Sequence, residues 1–399
     1  MIRFFKNLLF VGLVEKIYDF KVYFRYRYKR KYKYDKIVKF YKPYKLNYDK
    51  NIIIVIYCGI GDFLYGIPAF NEIKKKLQTN NKKFIIYVGN ADNNFNNSNL
   101  IHIAEQTNIF DEAHSFHAPN PIYWKCLDLS DIQYDENATD IYHFVYDTCG
   151  YGNKTRIERI FKQFSLKYSK QDLQNSITTN DNADDKSQTF IGKKHEKPVF
   201  LHLDTRSGEY IYPYALKLIY YLLKDGFEVI LFTKIDDIIK QQQQQKKDYL
   251  RIKHKNTIIR KKLKEIKENQ IIYNKIIKHK LFINVQAKNI NQTLKMLKDI
   301  DPYVIAVNSI FWPLTNITNT KTLALHYINS NDGYHFFHNK MQFITANKYS
   351  YKKIKKINKN KCLWVNGDNY DKDENGYINY HPEYIVFLFK KLVADNEPK

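Results

Sequence analysis

A chain of 399 residues with 65 Lys+Arg against 41 Asp+Glu carries a formal charge of +24, and its 44% hydrophobic and 16% aromatic content is enough for packed cores. That excludes a wholly disordered chain, and the length points to two domains, since single cores usually stop growing near about 250 to 300 residues. The cysteines, Cys58, Cys126, Cys149 and Cys362, form no CxxC pair, which excludes a disulfide scaffold and a zinc knuckle and leaves reduced thiols.

Heavy use of Lys, Asn, Ile and Tyr with little Ala, Gly, Pro or Met is what an AT-rich coding sequence imposes, so where the charge concentrates matters more than its total. Residues 1–50 hold 15 Lys/Arg against 4 Asp/Glu, a net of +11, interleaved with aromatics as in FKVYFRYRYKRKYKY. Their one apolar run, Leu8 to Val14, is far shorter than the roughly 20 residues that span a bilayer, and no small-residue cleavage site follows it. Such an arm can lie on an anionic membrane surface; a solvated arm packed on the first domain is the competing reading.

The next block, 51–170, opens with NIIIVIY, a continuous β-branched run of the kind buried on both faces of a parallel sheet. The loop CGIGDFLYGIP, a helix over Ala69 to Leu77 and a strand, KFIIYVG, complete a βαβ unit. Asn90 to Asn99 reads as loop. Residues 171–197 turn polar (DLQNSITTNDNADDKSQ) and mark the boundary between the blocks.

Block 198–399 starts afresh with PVFLHLD as a strand, TRSGEYIYP as a loop, YALKLIYYLLKDG as a helix closed by Gly226, and FEVILFTK as a strand. The basic insertion 240–280 follows, with 14 Lys/Arg against 3 acidic residues. Ile258, Ile259, Leu263, Ile266 and Ile271 stand near helical spacing there, so a helical segment with a solvated face is expected, with nucleic-acid or membrane contact the minority reading. LFINVQ, a helix around NQTLKMLKDID, the strand YVIAVNS, the run KTLALHYI and a final helix from HPEY to about Val393 complete the chain. The expected fold class is α/β, with two doubly wound parallel-sheet domains in tandem.

In such sheets ligands sit in the loops after the strands. Gly59-Ile60-Gly61-Asp62 would let a helix N-terminus approach an anion, but Leu64 stands where the dinucleotide fingerprint has its third glycine, and no GK[ST] follows. Asp62 has two readings: an N-cap, or a carboxylate held ionised by the helix and able to accept a proton.

IIIVIYCGIGDFLYGIPAFNEIKKKL resembles the opening of glycosyltransferase family 9, the ADP-heptose:lipopolysaccharide heptosyltransferases, through Gly59, Gly61, Asp62, Leu64, Pro68 and Ala69. PVFLHLDTRSGEYIYPYALKLIYYLLKDGFEVILFTK is similar to the start of that family's donor domain, and YVIAVNSIFWPLTNITNTKTLALHY to its segment bearing Asp-Ser-Gly-Pro-x-His. At that motif this chain has Asn308, Ser309, Ile310, Phe311, Trp312 and Pro313 and keeps the serine alone.

The resemblance implies a GT-B fold, two Rossmann-like domains facing a cleft. It also implies inverting, metal-independent transfer of a heptose or other hexose-type sugar to a lipopolysaccharide or cell-surface glycan acceptor. Asp62 would be the base, Gly59 and Gly61 its glycine turn, Thr205, Arg206, Ser207 and Gly208 the phosphate loop, and Asn308 and Ser309 the donor-site lining. No cofactor is expected beyond the donor itself, an ADP-sugar. The other partners expected are a lipid- or glycan-linked acceptor and an anionic membrane met by the N-terminal arm, with no specific nucleic acid. The expected location is cytoplasmic and peripheral on the inner face of the plasma membrane.

Two further patterns do not read as metal sites. Asp368, Asp371, Asp373 and Glu374, with Asn369 and Gly376, do not fit the twelve-residue calcium loop and read as an acidic surface turn, and His335 and His338 lack a third ligand and read as donor-loop or core histidines. Against the transferase stand two alternatives: a catalytically inactive GT-B-like binding protein, on the altered donor motif, and a nucleic-acid-binding protein, on charge alone.

Overall fold

The computed structural model describes residues 43–56, 58–90, 98–117, 132–144, 156–167, 198–204, 211–251, 257–285, 290–307, 309–326, 341–346, 348, 351–352, 362–373 and 376–395. Most of the N-terminal arm and the polar segment 171–197 lie outside them.

The first sheet is built from β1 (Asn51–Ile56), β2 (Phe84–Asn90), β3 (Glu112–His117) and β4 (Thr139–Phe144), in the order β3-β2-β1-β4, all parallel. The β-branched run forms the inner strand β1 because both of its faces are covered. Ile52, Ile54 and Ile56 enter the main apolar cluster, and Ile53 and Val55 join Phe116 and Ile132 on the opposite side. α1 (Ile60–Thr79) follows β1, α2 (Ser98–Gln106) follows β2, and α3 (Arg156–Gln163) packs on α1.

α1 begins nine residues before the helix that the sequence places at Ala69–Leu77, and Pro68 sits inside it. Proline removes one backbone donor and costs a helix interior about 3 kcal/mol. Packing offsets this: every residue from Phe63 to Phe70 is buried, so the helix is held from all sides.

The second sheet holds β5 (Val199–His202), β6 (Val229–Leu231), β7 (Phe282–Asn284), β8 (Tyr303–Val307), β9 (Thr322–Leu325), β10 (Met341–Thr345) and β11 (Cys362–Trp364). Its order is β11-β10-β9-β8-β5-β6-β7, again all parallel. Among the described residues, the crossovers from β5 to β9 are α4 (Ala215–Lys224), α5 (Ile235–Arg251) with α6 (Thr257–Ile276), α7 (Ile290–Ile300) and α8 (Phe311–Thr318), and α9 (Pro382–Ala394) is the last described element. Gly226 follows α4 with φ +88°, a conformation open to glycine, as the expected helix stop requires. In the basic segment α6 buries Ile259 and Ile276. Ile271, grouped with Ile259 by helical spacing, is instead 53% exposed.

The acidic stretch forms a 3-10 turn (Gly367–Asn369) and a two-stranded antiparallel hairpin, β12 (Tyr370–Lys372) with β13 (Ile378–Tyr380). Asp373 accepts the Tyr377 N–H at 2.9 Å, so that carboxylate shapes the hairpin turn. One apolar cluster joins the two sheets: Ile54 and Phe63 of the first half and Phe200, Val304 and Trp312 of the second belong to the same buried core. Among the described residues no helix is long and apolar enough to cross a membrane.

Candidate functional site

Each sheet has a switch point where successive crossovers run to opposite sides, between β1 and β4 in the first and between β5 and β8 in the second. Open α/β sheets bind ligands at the carboxyl ends of such strands.

At the first, Gly59 is the N-cap of α1, with extended backbone (φ −70°, ψ 158°), and its carbonyl accepts the N–H groups of Asp62 at 3.0 Å and Phe63 at 3.1 Å. Asp62 is therefore the third residue of the helix, which corrects its reading as an N-cap. Its half-buried carboxyl lies in the first turn, where the positive end of the helix favours the ionised form.

At the second, alternation along β5 sends Val199, Leu201 and Leu203 into one core and Phe200 into the other, and His202 shares the face of Phe200. The His202 ring stacks on Phe311 at 4.7 Å and 27°, and its Nε2 stands 3.5 Å from Asp204 Oδ1. Burial pushes the imidazole below its usual range, and Asp204 pulls in the opposite direction. The Thr233 hydroxyl donates to Asp204 Oδ1 at 2.8 Å and accepts the Leu203 N–H at 3.0 Å, which ties the ends of β5 and β6 together. Asn284, ending β7, donates to the carbonyls of Leu231 at 2.8 Å and Thr233 at 2.9 Å.

α8 rises directly from the end of β8. The Ser309 hydroxyl accepts the Phe311 N–H at 3.3 Å and the Ser309 carbonyl accepts the Trp312 N–H at 3.2 Å. Trp312 is fully buried, donates its indole N–H to the Ala306 carbonyl at 3.0 Å and meets Phe343 edge-on at 5.5 Å. Pro313 faces the other half of the chain: a Cβ built on Gly61 would stand 3.9 Å from Pro313 Cγ.

The structure thus brings Gly59, Gly61 and Asp62 of the first sheet up to the segment that begins at Ser309 in the second. Thr205, Arg206, Ser207, Gly208 and Asn308, like His335, His338 and Glu374, lie outside the described residues. Sequence reasoning missed His202, Thr233 and the helix α8. The signal for the first two was a polar residue ending each of two apolar runs, FLHLD and VILFT. For α8 there was none, since FWPLTNIT combines Pro with β-branched residues that are poor helix formers. Among the described residues no group of three His, Cys, Asp or Glu side chains is placed to hold a metal.

No protein-family model matches the sequence, and comparison with curated proteins finds no match. The fold has solved counterparts. A glycosyl transferase family 9 protein from Veillonella parvula superposes with a TM-score of 0.51 at 10% identity, over 87% of this chain and 98% of that one. The fold is GT-B. The ADP-heptose lipopolysaccharide heptosyltransferase II of E. coli aligns over 87% of this chain and 100% of its own at 12% identity, with a TM-score of 0.46. At such identities the likeness concerns the path of the backbone, and function has to be argued from the residues.

Proposed function

We propose that this chain is a glycosyltransferase that moves a heptose or other hexose-type sugar from a nucleotide-sugar donor, an ADP-sugar in the first instance, to a lipopolysaccharide-type or cell-surface glycan acceptor. The observation that carries the reading is the meeting of the two switch points, with Gly61 of the α1 turn against Pro313 of α8. The GT-B fold and the Gly59, Gly61, Asp62 and Pro68 pattern support it. The proposed division has 51–170 binding the acceptor, 198–399 binding the donor, and the basic arm 1–50 holding the protein at an anionic membrane on the cytoplasmic side.

In this mechanism the Asp62 carboxylate takes the proton of the acceptor hydroxyl as that oxygen attacks the anomeric carbon from the face opposite the leaving group. The bond from carbon to diphosphate oxygen breaks, the configuration inverts, and the diphosphate leaves with the charge that Arg206 and the loop Thr205–Gly208 would stabilise. No metal is needed for these steps. Ser309 would line the donor side beside Asn308.

The test is a thermal-shift panel of ADP-, UDP- and GDP-sugars followed by transfer assays. We expect stabilisation by one nucleotide class, and an Asp62→Asn variant that melts like the wild type while turnover falls by about 100-fold or more. Unchanged turnover in Asp62→Asn would remove Asp62 as the base.

A second reading, a GT-B binding protein without transferase activity, is favoured by one observation. The segment aligned with Asp-Ser-Gly-Pro-x-His buries Phe311 and Trp312 and places Pro313 where that motif has its histidine. Sugar or glycan binding with no turnover on any donor would establish it.

A further inference from the structure

The outer face of α6 carries a cationic ridge. Arg260, Lys264, Lys267, Ile271 and Lys275 follow one another at steps of three or four residues, the repeat that aligns side chains along one helix face, and all five are exposed, with Lys278 exposed in the turn just past the helix. The opposite face is fixed to the fold: Ile259, Asn269 and Ile276 are buried, and the helix packs on α4 and α5. Ile271, 53% exposed, sits in the middle of the ridge, and Ile277, 47% exposed, sits near its end.

One acidic group shares this face: Glu268, one turn after Lys264 and 4.0 Å from it, offsets one of the cations, while Glu265 is half-buried. Asp236 of α5 is engaged by the Tyr273 hydroxyl at 3.1 Å, on the side turned away from the ridge. Lys275 holds its ammonium 5.6 Å from the Tyr220 ring, which keeps it along the edge of α4.

We propose that this ridge is a docking surface for an anionic lipid bilayer. Cations on a helix clamped to a folded domain present a fixed charged face, and such a face is drawn to the negative surface of anionic lipids. The exposed isoleucines decide between a bilayer and a polynucleotide. An apolar side chain in the centre of a cationic stripe gains nothing against phosphates in water, but it can insert at the boundary between headgroups and acyl chains while the lysines extend to the headgroups. This surface is built from residues other than those of the N-terminal arm, and no donor or acceptor enters its test, so it stands or falls apart from the transferase reading.

The experiment is co-sedimentation of the full chain with vesicles of phosphatidylglycerol in phosphatidylcholine and with vesicles of phosphatidylcholine alone. The wild type is expected to bind the anionic vesicles only. The triple variant Lys264→Glu, Lys267→Glu, Lys275→Glu should bind about a thousandfold more weakly with an unchanged melting curve. Should that variant fold poorly, the same three positions changed to Gln should still weaken binding by about a hundredfold. Ile271→Ser should lose about fivefold. Absence of wild-type binding to anionic vesicles would overturn the proposal. So would binding undiminished in both triple variants, which would assign it to residues 1–50. Vesicle binding indifferent to Ile271→Ser and displaced by single-stranded RNA would overturn it in favour of a polynucleotide.

Discussion

Gly61 and Pro313 meet across the two halves of the chain, and a methyl group on Gly61 would rest 3.9 Å from Pro313 Cγ, an ordinary van der Waals distance. The glycine is therefore not demanded by the contact, and it lies in a helix, where alanine is favoured by up to about 1 kcal/mol. Gly61→Ala should fold with equal or slightly higher stability in urea unfolding. Gly61→Leu should push against Pro313 and lower stability by about 1 to 3 kcal/mol. Equal stability of the two variants would mean that α1 and α8 are not in fixed contact.

Gly66, five residues further along α1, behaves oppositely. A Cβ there would lie 2.6 and 2.7 Å from the Phe70 ring and 3.2 Å from Phe144. An exposed ring would swing away at little cost. Phe70 is fully buried, however, with Phe63, Phe84, Phe110, Phe144 and Phe164 all within 6.3 Å of it, centroid to centroid. Gly66→Ala should therefore lose about 1 to 3 kcal/mol in urea unfolding, although propensity alone predicts a gain.

These two glycines also mark how far the sequence could be read. The βαβ order, the parallel inner strands and the glycine turn after β1 were legible because a run such as NIIIVIY has one good use, a strand covered on both faces. The N-terminal two turns of α1 were not, since Gly61, Gly66 and Pro68 all argue locally against helix and only burial from Phe63 to Phe70 overrides them. His202 escaped notice for a different reason. A lone histidine in an apolar strand carries no periodic signal, and its meaning comes from Asp204, two residues on, together with Phe311, which only the fold brings to it.

Thr233 should prove the hinge of that second cluster. Its hydroxyl serves the Leu203 N–H and the Asp204 carboxylate together. Thr233→Val keeps the shape and leaves a buried N–H unpaired, which costs about 1 to 3 kcal/mol. Thr233→Ser keeps both bonds and should lose about 1 kcal/mol or less for the missing methyl. Equal losses in the two variants, measured by urea unfolding, would show that packing of the methyl rather than the hydroxyl holds the ends of β5 and β6.

The buried histidines give the protein an acid limit. Burial pushes His143 and His326 down to about 3, and it lowers His202 as well. Unfolded, each imidazole takes its proton near about pH 6.5, whereas the native state excludes it. Below that value the unfolded chain binds more protons, so the stabilising effect of the neutral rings is complete above about pH 6.5 and is lost as pH falls toward the native values. Between about pH 6.5 and 4.5, His143 and His326 should each remove about 2 to 3 kcal/mol. Urea unfolding across this range should show stability declining with acid, and His326→Leu should flatten the decline by one proton's share whatever its stability at neutral pH. The same slope in His326→Leu as in the wild type would mean that His326 takes its proton in the native state at an ordinary pH.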